Sequence, residues 1–206
     1  LDDKDKVQYE LEKACYLAKN GRPGPVWLDI PLDIQNAQIK IQKNKSFFYK
    51  NLKILNSNPT PKDKEINLVI KNLKTSKRPL IVFGHGTYLS GAKNHARKFI
   101  NNFKLPCQST WNSIDLIPDK NKYYFGRANS YGPRYPNFII QNADYILSIG
   151  ARLGVQHTGY NVKAFARNAI LHMVDLDINE AKKPKLKVDK LKKSDAKKFI
   201  EKLCNQ

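Results

Sequence analysis

The chain has 206 residues, enough for one ordinary domain with a sizeable core, or for one domain and part of another. Its 37 lysines and arginines outnumber 18 aspartates and glutamates, which gives a formal charge of +19 at pH 7. The apolar runs fall far short of the roughly 20 residues of a bilayer span, which predicts a soluble protein. The three cysteines are scattered and form no CxxC pair. They predict neither disulfides nor a zinc cluster, and they suit the reducing cytoplasm.

The high positive charge by itself suggests a nucleic acid, because lysines that neutralise phosphates release bound counterions. The lysines are nevertheless spread along the chain among many asparagines. The densest run, residues 182–198, also contains aspartates and aliphatic residues, which favours a solvated surface over a binding arm. Without a recognised reading motif, we expect neither a nucleic-acid partner nor a membrane partner.

The first 37 residues predict a helix, a turn and a strand. Apolar residues recur at helical spacing over residues 7–20, and Gly21 can take the left-handed conformation that ends a helix. After a proline-rich turn, residues 26–30 have the pattern of a buried strand closed by Pro31. These elements are too few for a core of their own, so we expect the rest of their domain to lie upstream.

Residues 38–63 are predicted to connect two domains. They are rich in lysine and asparagine, show weak periodicity and include Pro59 and Pro61. The aromatic run Phe47, Phe48 and Tyr49 offers a means of fixing this connector to a surface.

Strand and helix patterns alternate beyond residue 63. The predicted strands are 80–83, 105–110, 145–149 and 170–174. The predicted helices are 66–73, one that begins at a Ser90 cap, one around 138–142 and one over 194–203. Strands separated by helices imply a parallel sheet covered on both faces. Residues 64–206 therefore predict an α/β domain with a doubly wound, Rossmann-like parallel sheet.

Candidate ligand-binding residues follow three of the predicted strands. In such sheets ligands bind outside the carboxyl ends of the strands, where glycines permit close approach and helix N-termini favour phosphate. The candidates are Gly84 and Gly86 after the first strand, Gly150 and Arg152 after the third, and Asp175 and Asp177 after the fourth. A guanidinium can pair with phosphate, and carboxylates can accept hydrogen bonds from ribose hydroxyls. The pattern predicts a nucleotide site.

Each of these signals has an alternative interpretation. The glycines also suit a tight strand-to-helix turn, the arginine an ordinary surface loop, and the aspartates helix capping or a metal-binding DxD. His85 lies between the two first glycines and is expected to be a structural hydrogen-bonding group. The four histidines lack metal-ligand spacing, and neither a GxSxG elbow nor a GxxxxGKS phosphate loop occurs, so we predict no catalytic and no metal-binding residue in this chain.

The segment GRPGPVWLDIPLDIQ, residues 21–35, resembles the end of the pyrimidine-binding domain in thiamine-diphosphate enzymes of the acetolactate synthase group. Most of the remaining chain resembles the central domain of those enzymes. The segments that carry this second resemblance are RPLIVFGHG (78–86), LPCQST (105–110), the glycines of YFGRANSYG, NADYILSIGARLG (142–154), TGYN (158–161) and HMVDLD (172–177).

The resemblance implies a domain order of 1–37 for the end of the pyrimidine-binding domain, 38–63 for the connector and 64–206 for the central domain. It implies a full-length homo-oligomer that uses thiamine diphosphate and Mg²⁺ to decarboxylate or ligate 2-oxo acids. The family's cofactor-activating glutamate and its GDG-to-Asn metal segment do not occur in this sequence. We therefore expect this chain alone to be inactive and to depend on pyrimidine and diphosphate-binding domains elsewhere in the same protein.

For the central domain, the resemblance implies binding of FAD or ADP, or a scaffold whose pocket is vestigial. The residues expected near a nucleotide are Gly84, Gly86, Thr110, Gly132, Gly150, Arg152, Asp175 and Asp177. One departure concerns FAD: its binders commonly continue after GAR with an acidic run, whereas residues 153–157 here are LGVQH.

Overall fold

A computed structural model of the protein describes residues 1–40, 46–47, 59–183 and 186–206. The chain forms two compact units, Leu1–Asn58 and Pro59–Gln206. Most of the predicted connector, with Phe48 and Tyr49, lies outside the described residues, so its role stays a prediction. Within the described part, no helix is both long and apolar enough to span a bilayer.

The first unit is organised around helix α1, Val7–Lys19, which follows a short 3-10 helix, Lys4–Lys6. Gly21 has φ 72°, the left-handed conformation predicted for the end of this helix. The ring of Phe47 lies 5.4 Å from that of Tyr9 and 5.5 Å from that of Tyr16, between ring centroids. A short helix, α2, spans Leu32–Gln35.

The predicted buried strand at residues 26–30 is wrong. These residues form no strand, and Trp27 is 91% exposed. A strand is defined by hydrogen bonds to a neighbouring strand, and the described residues of this unit contain none. The apolar pattern was therefore insufficient to produce the strand within this unit.

The second unit contains a five-stranded parallel sheet. Its strands are β1 (Pro79–Phe83), β2 (Cys107–Ser109), β3 (Tyr145–Ile149), β4 (Ile170–Asp175) and β5 (Lys190–Lys193). They lie in the order β2-β1-β3-β4-β5, with every neighbouring pair parallel. The chain runs outward from β1 to β2 and returns to the opposite side at β3. The strand order therefore reverses between β1 and β3.

Helices cover both faces of this sheet. They are α3 (Asp63–Thr75), α4 (His85–Leu89), α5 (Lys93–Phe103), α6 (Arg134–Asn142), α7 (Val155–Thr158) and α8 (Ala196–Cys204). Alternate strand residues point to opposite faces. Ile81 belongs to the apolar core that contains Phe99 of α5 and Phe199 of α8, whereas Leu80 belongs to the core that contains Ile140 of α6. The doubly wound α/β prediction is confirmed.

The predicted helix cap at Ser90 is wrong, and the last helix is capped one residue later than its predicted start. Ser90 ends α4, with its hydroxyl donating to the carbonyl of Thr87 at 2.9 Å, and α5 begins only at Lys93. At α8 the cap is Asp195, whose carboxylate accepts from the amide of Lys198 at 3.0 Å. The preceding Ser194 donates instead to the carbonyl of Pro59.

Candidate nucleotide site

The loops that follow β1 and β3 meet through glycine backbones. Gly84 donates its amide hydrogen to the carbonyl of Ile149, and Gly86 donates to that of Gly150, both at 2.9 Å. A Cβ atom on Gly84 would lie 2.2 Å from the carbonyl oxygen of Gly150. Gly150 has φ 60°, and a Cβ there would lie 2.6 Å from the amide nitrogen of Thr87. Three of the predicted site residues are thus brought together where the strand order reverses.

Hydrogen bonds fix the end of β1 against its neighbours. The buried hydroxyl of Thr87 donates to the carbonyl of Ile149 at 2.8 Å. On the other side, the amide of Thr110 donates to the carbonyl of Phe83 at 2.9 Å. His85 donates from Nδ1 to the carbonyl of Asn112 at 2.6 Å, because a carbonyl can only accept. Thr110 therefore lies beside Gly84, and His85 makes a structural hydrogen bond, as predicted.

Arg152 projects from a loop whose neighbouring side chains are buried. Ala151 is 1% exposed and Leu153 is 2% exposed, whereas the side chain of Arg152 is 71% exposed. Leu153 has φ 47°, a left-handed conformation that is uncommon for a residue with a branched side chain. The two buried neighbours hold the loop, so that the cation extends from the carboxyl edge of the sheet.

Glu180, which the sequence analysis missed, pairs with Arg152. Arg152 Nε lies 2.9 Å from Glu180 Oε1, and Lys183 Nζ lies 2.6 Å from Glu180 Oε2. Lys183 also donates to the carbonyl of Arg152. The side chain of Glu180 is only 6% exposed. The single signal for this residue was its placement three positions before Lys183 and three after Asp177.

Asp175 and Asp177 organise the loop that carries Glu180. Asp175 Oδ1 accepts from the amide of Asp177 at 2.9 Å, and Asp177 Oδ1 accepts from the amide of Asn179 at 2.9 Å. Asp177 thereby caps the 3-10 helix Ile178–Lys182. Asp177 thus makes the contact that the capping alternative predicts, whereas Asp175 accepts a hydrogen bond in the turn before it, and both lie at the carboxyl end of β4.

Gly132 belongs to a separate loop. A Cβ there would lie 2.5 Å from the carbonyl oxygen of Arg127, so the glycine permits a tight local turn. Ser130 joins this loop to α7 by donating its amide hydrogen to the carbonyl of Gln156 at 2.9 Å. In the described part of the chain, no hydrogen bond links Gly132 to the other candidates.

The positive charge of this edge comes from Arg152 and Lys183 and not from the nearby histidine. Burial lowers the pKa of His157, in α7, to about 4, so this imidazole is neutral at pH 7. Among the described residues, no group of three histidine, cysteine or acidic side chains is arranged to hold a metal ion. The exposed guanidinium of Arg152 suits an anionic group.

A doubly wound sheet with glycines, an exposed arginine and carboxylates at its carboxyl edge defines a Rossmann-like α/β domain. Residues 66–203 match the family described as "Thiamine pyrophosphate enzyme, central domain", and the chain belongs to that family. The predicted resemblance is thereby confirmed.

Similar proteins agree with this assignment. The chain is 29% identical to "Probable acetolactate synthase large subunit" of Methanococcus aeolicus, over 98% of this chain and 35% of that protein. It is also 29% identical to "Acetolactate synthase large subunit" of Lactococcus lactis subsp. lactis (strain IL1403), over 82% of this chain and 29% of that protein. The chain thus spans about a third or less of these relatives.

Two solved structures share the fold. Benzoylformate decarboxylase from Polynucleobacter necessarius superposes with a TM-score of 0.73 at 20% identity, over all of this chain and 37% of that one. The thiamine diphosphate-dependent 4-hydroxybenzoylformate decarboxylase of Rhodococcus jostii RHA1 gives a TM-score of 0.74 at 18% identity, over all of this chain and 38% of that one. At these identities the likeness concerns the fold alone.

Proposed function

We propose that this chain is the central-domain part of a thiamine-diphosphate enzyme that decarboxylates or ligates 2-oxo acids. The family match over residues 66–203 and the relatives named acetolactate synthase support this proposal. Thiamine diphosphate, held with Mg²⁺, supplies a stabilised carbanion to such reactions. The residues here offer no acidic cluster for the metal within the described part, so other domains of the protein would hold both groups.

The activity is tested on the full-length protein, which we place in the cytoplasm as a homo-oligomer. It is incubated with thiamine diphosphate, Mg²⁺ and pyruvate or another 2-oxo acid, while CO₂ release and product formation are followed. We expect turnover that requires both added groups. Absence of cofactor binding and of turnover with every 2-oxo acid tried would overturn the proposal. Sedimentation of the same protein measures its oligomeric state.

Within this enzyme, we assign nucleotide binding to the carboxyl edge of the sheet. The observation that carries this assignment is the exposed guanidinium of Arg152, held beside the glycine contact where the strand order reverses. An arginine at this position can bind the phosphates of FAD or ADP, while Asp175 and Asp177 lie at the adjacent strand end. Thr110 and Gly132 belong to the flanking loops that such an extended ligand would reach.

A scaffold with a vestigial pocket is the second candidate. It is favoured by the contacts of Gly84 and Gly86 with Gly150, which already explain the glycines without a ligand. Calorimetric titration of the chain with FAD, ADP and NAD separates the two functions. Saturable binding of one of them supports the nucleotide site. Absence of measurable binding with all three nucleotides supports the scaffold.

A further inference from the structure

Glu180 is placed to hold Arg152 in one orientation. Its Oε1 atom forms an ion pair with Nε of the guanidinium, the nitrogen nearest the backbone, at 2.9 Å. No hydrogen bond from the two terminal nitrogens of Arg152 is found among the described residues, and its side chain is 71% exposed. An arginine fixed through Nε keeps its terminal N–H groups available, and these form the planar fork that matches a phosphate.

The carboxylate that holds Arg152 is itself held. Asp175 accepts from the amide of Asp177, and Asp177 caps the 3-10 helix that contains Glu180. Lys183 binds the second oxygen of Glu180 and the carbonyl of Arg152, which ties the β4 loop to the β3 loop. These contacts form a continuous chain from the end of β4 to the guanidinium.

The charge and the burial of these side chains indicate that the arrangement serves ligand binding as well as stability. A carboxylate that is 6% exposed is costly to bury unless cations and hydrogen bonds compensate it. Arg152, Lys183 and Glu180 together carry one net positive charge, which faces solvent at Arg152. Fixing the side chain in advance also removes rotamer entropy that a ligand would otherwise have to overcome.

We infer that Glu180 is a positioning residue, which orients Arg152 so that its terminal N–H groups bind a phosphate of the nucleotide. This inference rests on the proposed nucleotide site. It adds that the ligand must carry a phosphate at Arg152 to be recognised there. Asp175 and Asp177 act on the ligand through Glu180, because their carboxylates fix the loop that presents it.

The test compares ligands with and without phosphate. ADP, adenosine and inorganic pyrophosphate are titrated by calorimetry into the wild-type chain and into the Glu180→Ala, Glu180→Gln and Arg152→Met variants. Circular dichroism confirms that each variant is folded. The matched control is Glu201→Gln, since Glu201 pairs with His95 between α5 and α8 and lies outside the proposed site.

We expect Glu180→Ala to weaken ADP binding about tenfold, the weight of one charge-assisted hydrogen bond, and to leave adenosine binding unchanged. Glu180→Gln, which keeps an acceptor oxygen and is the variant most apt to fold, should weaken ADP binding by less. Arg152→Met should weaken ADP binding at least tenfold, and adding Glu180→Ala to it should cause little further loss, because the two residues act as a unit. Glu201→Gln should bind ADP as the wild type does.

Different results overturn different claims. Equal ADP affinity in the wild type and in both Glu180 variants overturns the positioning role and leaves the nucleotide site intact. An equal loss for ADP and adenosine also overturns it, because a general distortion would weaken both. Pyrophosphate binding that depends on Arg152 and Glu180, without binding of ADP, supports the positioning role and overturns the nucleotide site. If the wild-type chain binds none of the three ligands, both the positioning role and the nucleotide site are overturned.

Discussion

The amide hydrogen of Gly86 is donated to the carbonyl oxygen of Gly150 at 2.9 Å, so the loops that end β1 and β3 touch through main-chain atoms. A Cβ atom on Gly86 would lie 3.0 Å from the Cα atom of Gly150, so this approach depends on the missing side chain. The contact determines how far apart the two loops lie, and with it the position from which Arg152 extends.

We expect Gly84→Ala to destabilise the domain by about 3 kcal/mol or more, because the new methyl group would overlap main-chain atoms that cannot move aside. The free energy of unfolding in urea measures this loss. Gly154→Ala is the matched control, since Gly154 has φ −71° and a methyl group added there would meet no atom within 4 Å. It should cost less than about 1 kcal/mol. Equal losses in the two variants would contradict the role assigned to the contact.

Thr87→Val should destabilise the domain by about 1–3 kcal/mol, because the buried carbonyl of Ile149 loses its hydroxyl donor while side-chain volume is retained. Urea unfolding again provides the measurement. Thr75→Val serves as the control, because the Thr75 hydroxyl bonds to carbonyls of its own helix at an exposed position. Its effect should stay within about 0.5 kcal/mol. A neutral Thr87→Val would show that the amide of Gly84 satisfies this carbonyl by itself.

Asp195→Ala should lower the free energy of unfolding by about 1 kcal/mol, since the first turn of α8 loses the acceptor for the Lys198 amide. Asp195→Asn keeps a side-chain oxygen at the same place and should recover most of the loss. Thermal unfolding followed by circular dichroism compares the two. The cap would be unimportant if alanine and asparagine gave the same result.

Stability should fall in acid because of two histidines with lowered pKa values, the buried His172 and the partly buried His157. Burial, aided by the charge of Lys190, lowers the pKa of His172 to about 4, and burial alone does the same for His157. In the unfolded chain both titrate near about 6.5. As the pH falls below that value, the unfolded state gains protons that the folded state does not. Each histidine should therefore remove about 1.4 kcal/mol of stability per pH unit between about 6.5 and 4.

The measurement is the free energy of unfolding in urea at several pH values in this range. His172→Asn should reduce the slope of unfolding free energy against pH by the contribution of one histidine, about 1.4 kcal/mol per pH unit. Met173→Leu, on the same strand, is a buried non-titrating control that should alter stability without altering the slope. A slope that His172→Asn leaves unchanged would show that this imidazole is protonated in the folded domain.

Four of the five strands were predicted from sequence. Three of them are largely apolar runs, such as residues 145–149, which match β3 at both ends, and β2 is the short Cys107–Ser109 within the predicted 105–110. β5 was missed. Its sequence, KLKK, has no apolar run, and it exists because it pairs with β4, beginning at Lys190 opposite His172. The strand predicted at residues 26–30 does not form, and the cause is the same. A local sequence pattern does not show whether a strand has a neighbour to pair with.

The sequence predicted which strand ends carry the candidate residues, but it did not predict the contacts that these residues make. A glycine pattern is the same whether a ligand or another backbone approaches, and only the structure shows Gly84 against Gly150. Glu180 was missed because its partner Arg152 is distant in sequence, and burial of one carboxylate leaves no periodic signal.

The lysines of β5 also affect association between molecules. β5 is an outer strand of the sheet, and outer strands offer unpaired main-chain groups to other chains. Lys190 and Lys193, which are both exposed, place like charges along this border, so that a second copy approaching in register would meet repulsion. The segment that carries no apolar signature for folding thus opposes edge-to-edge aggregation.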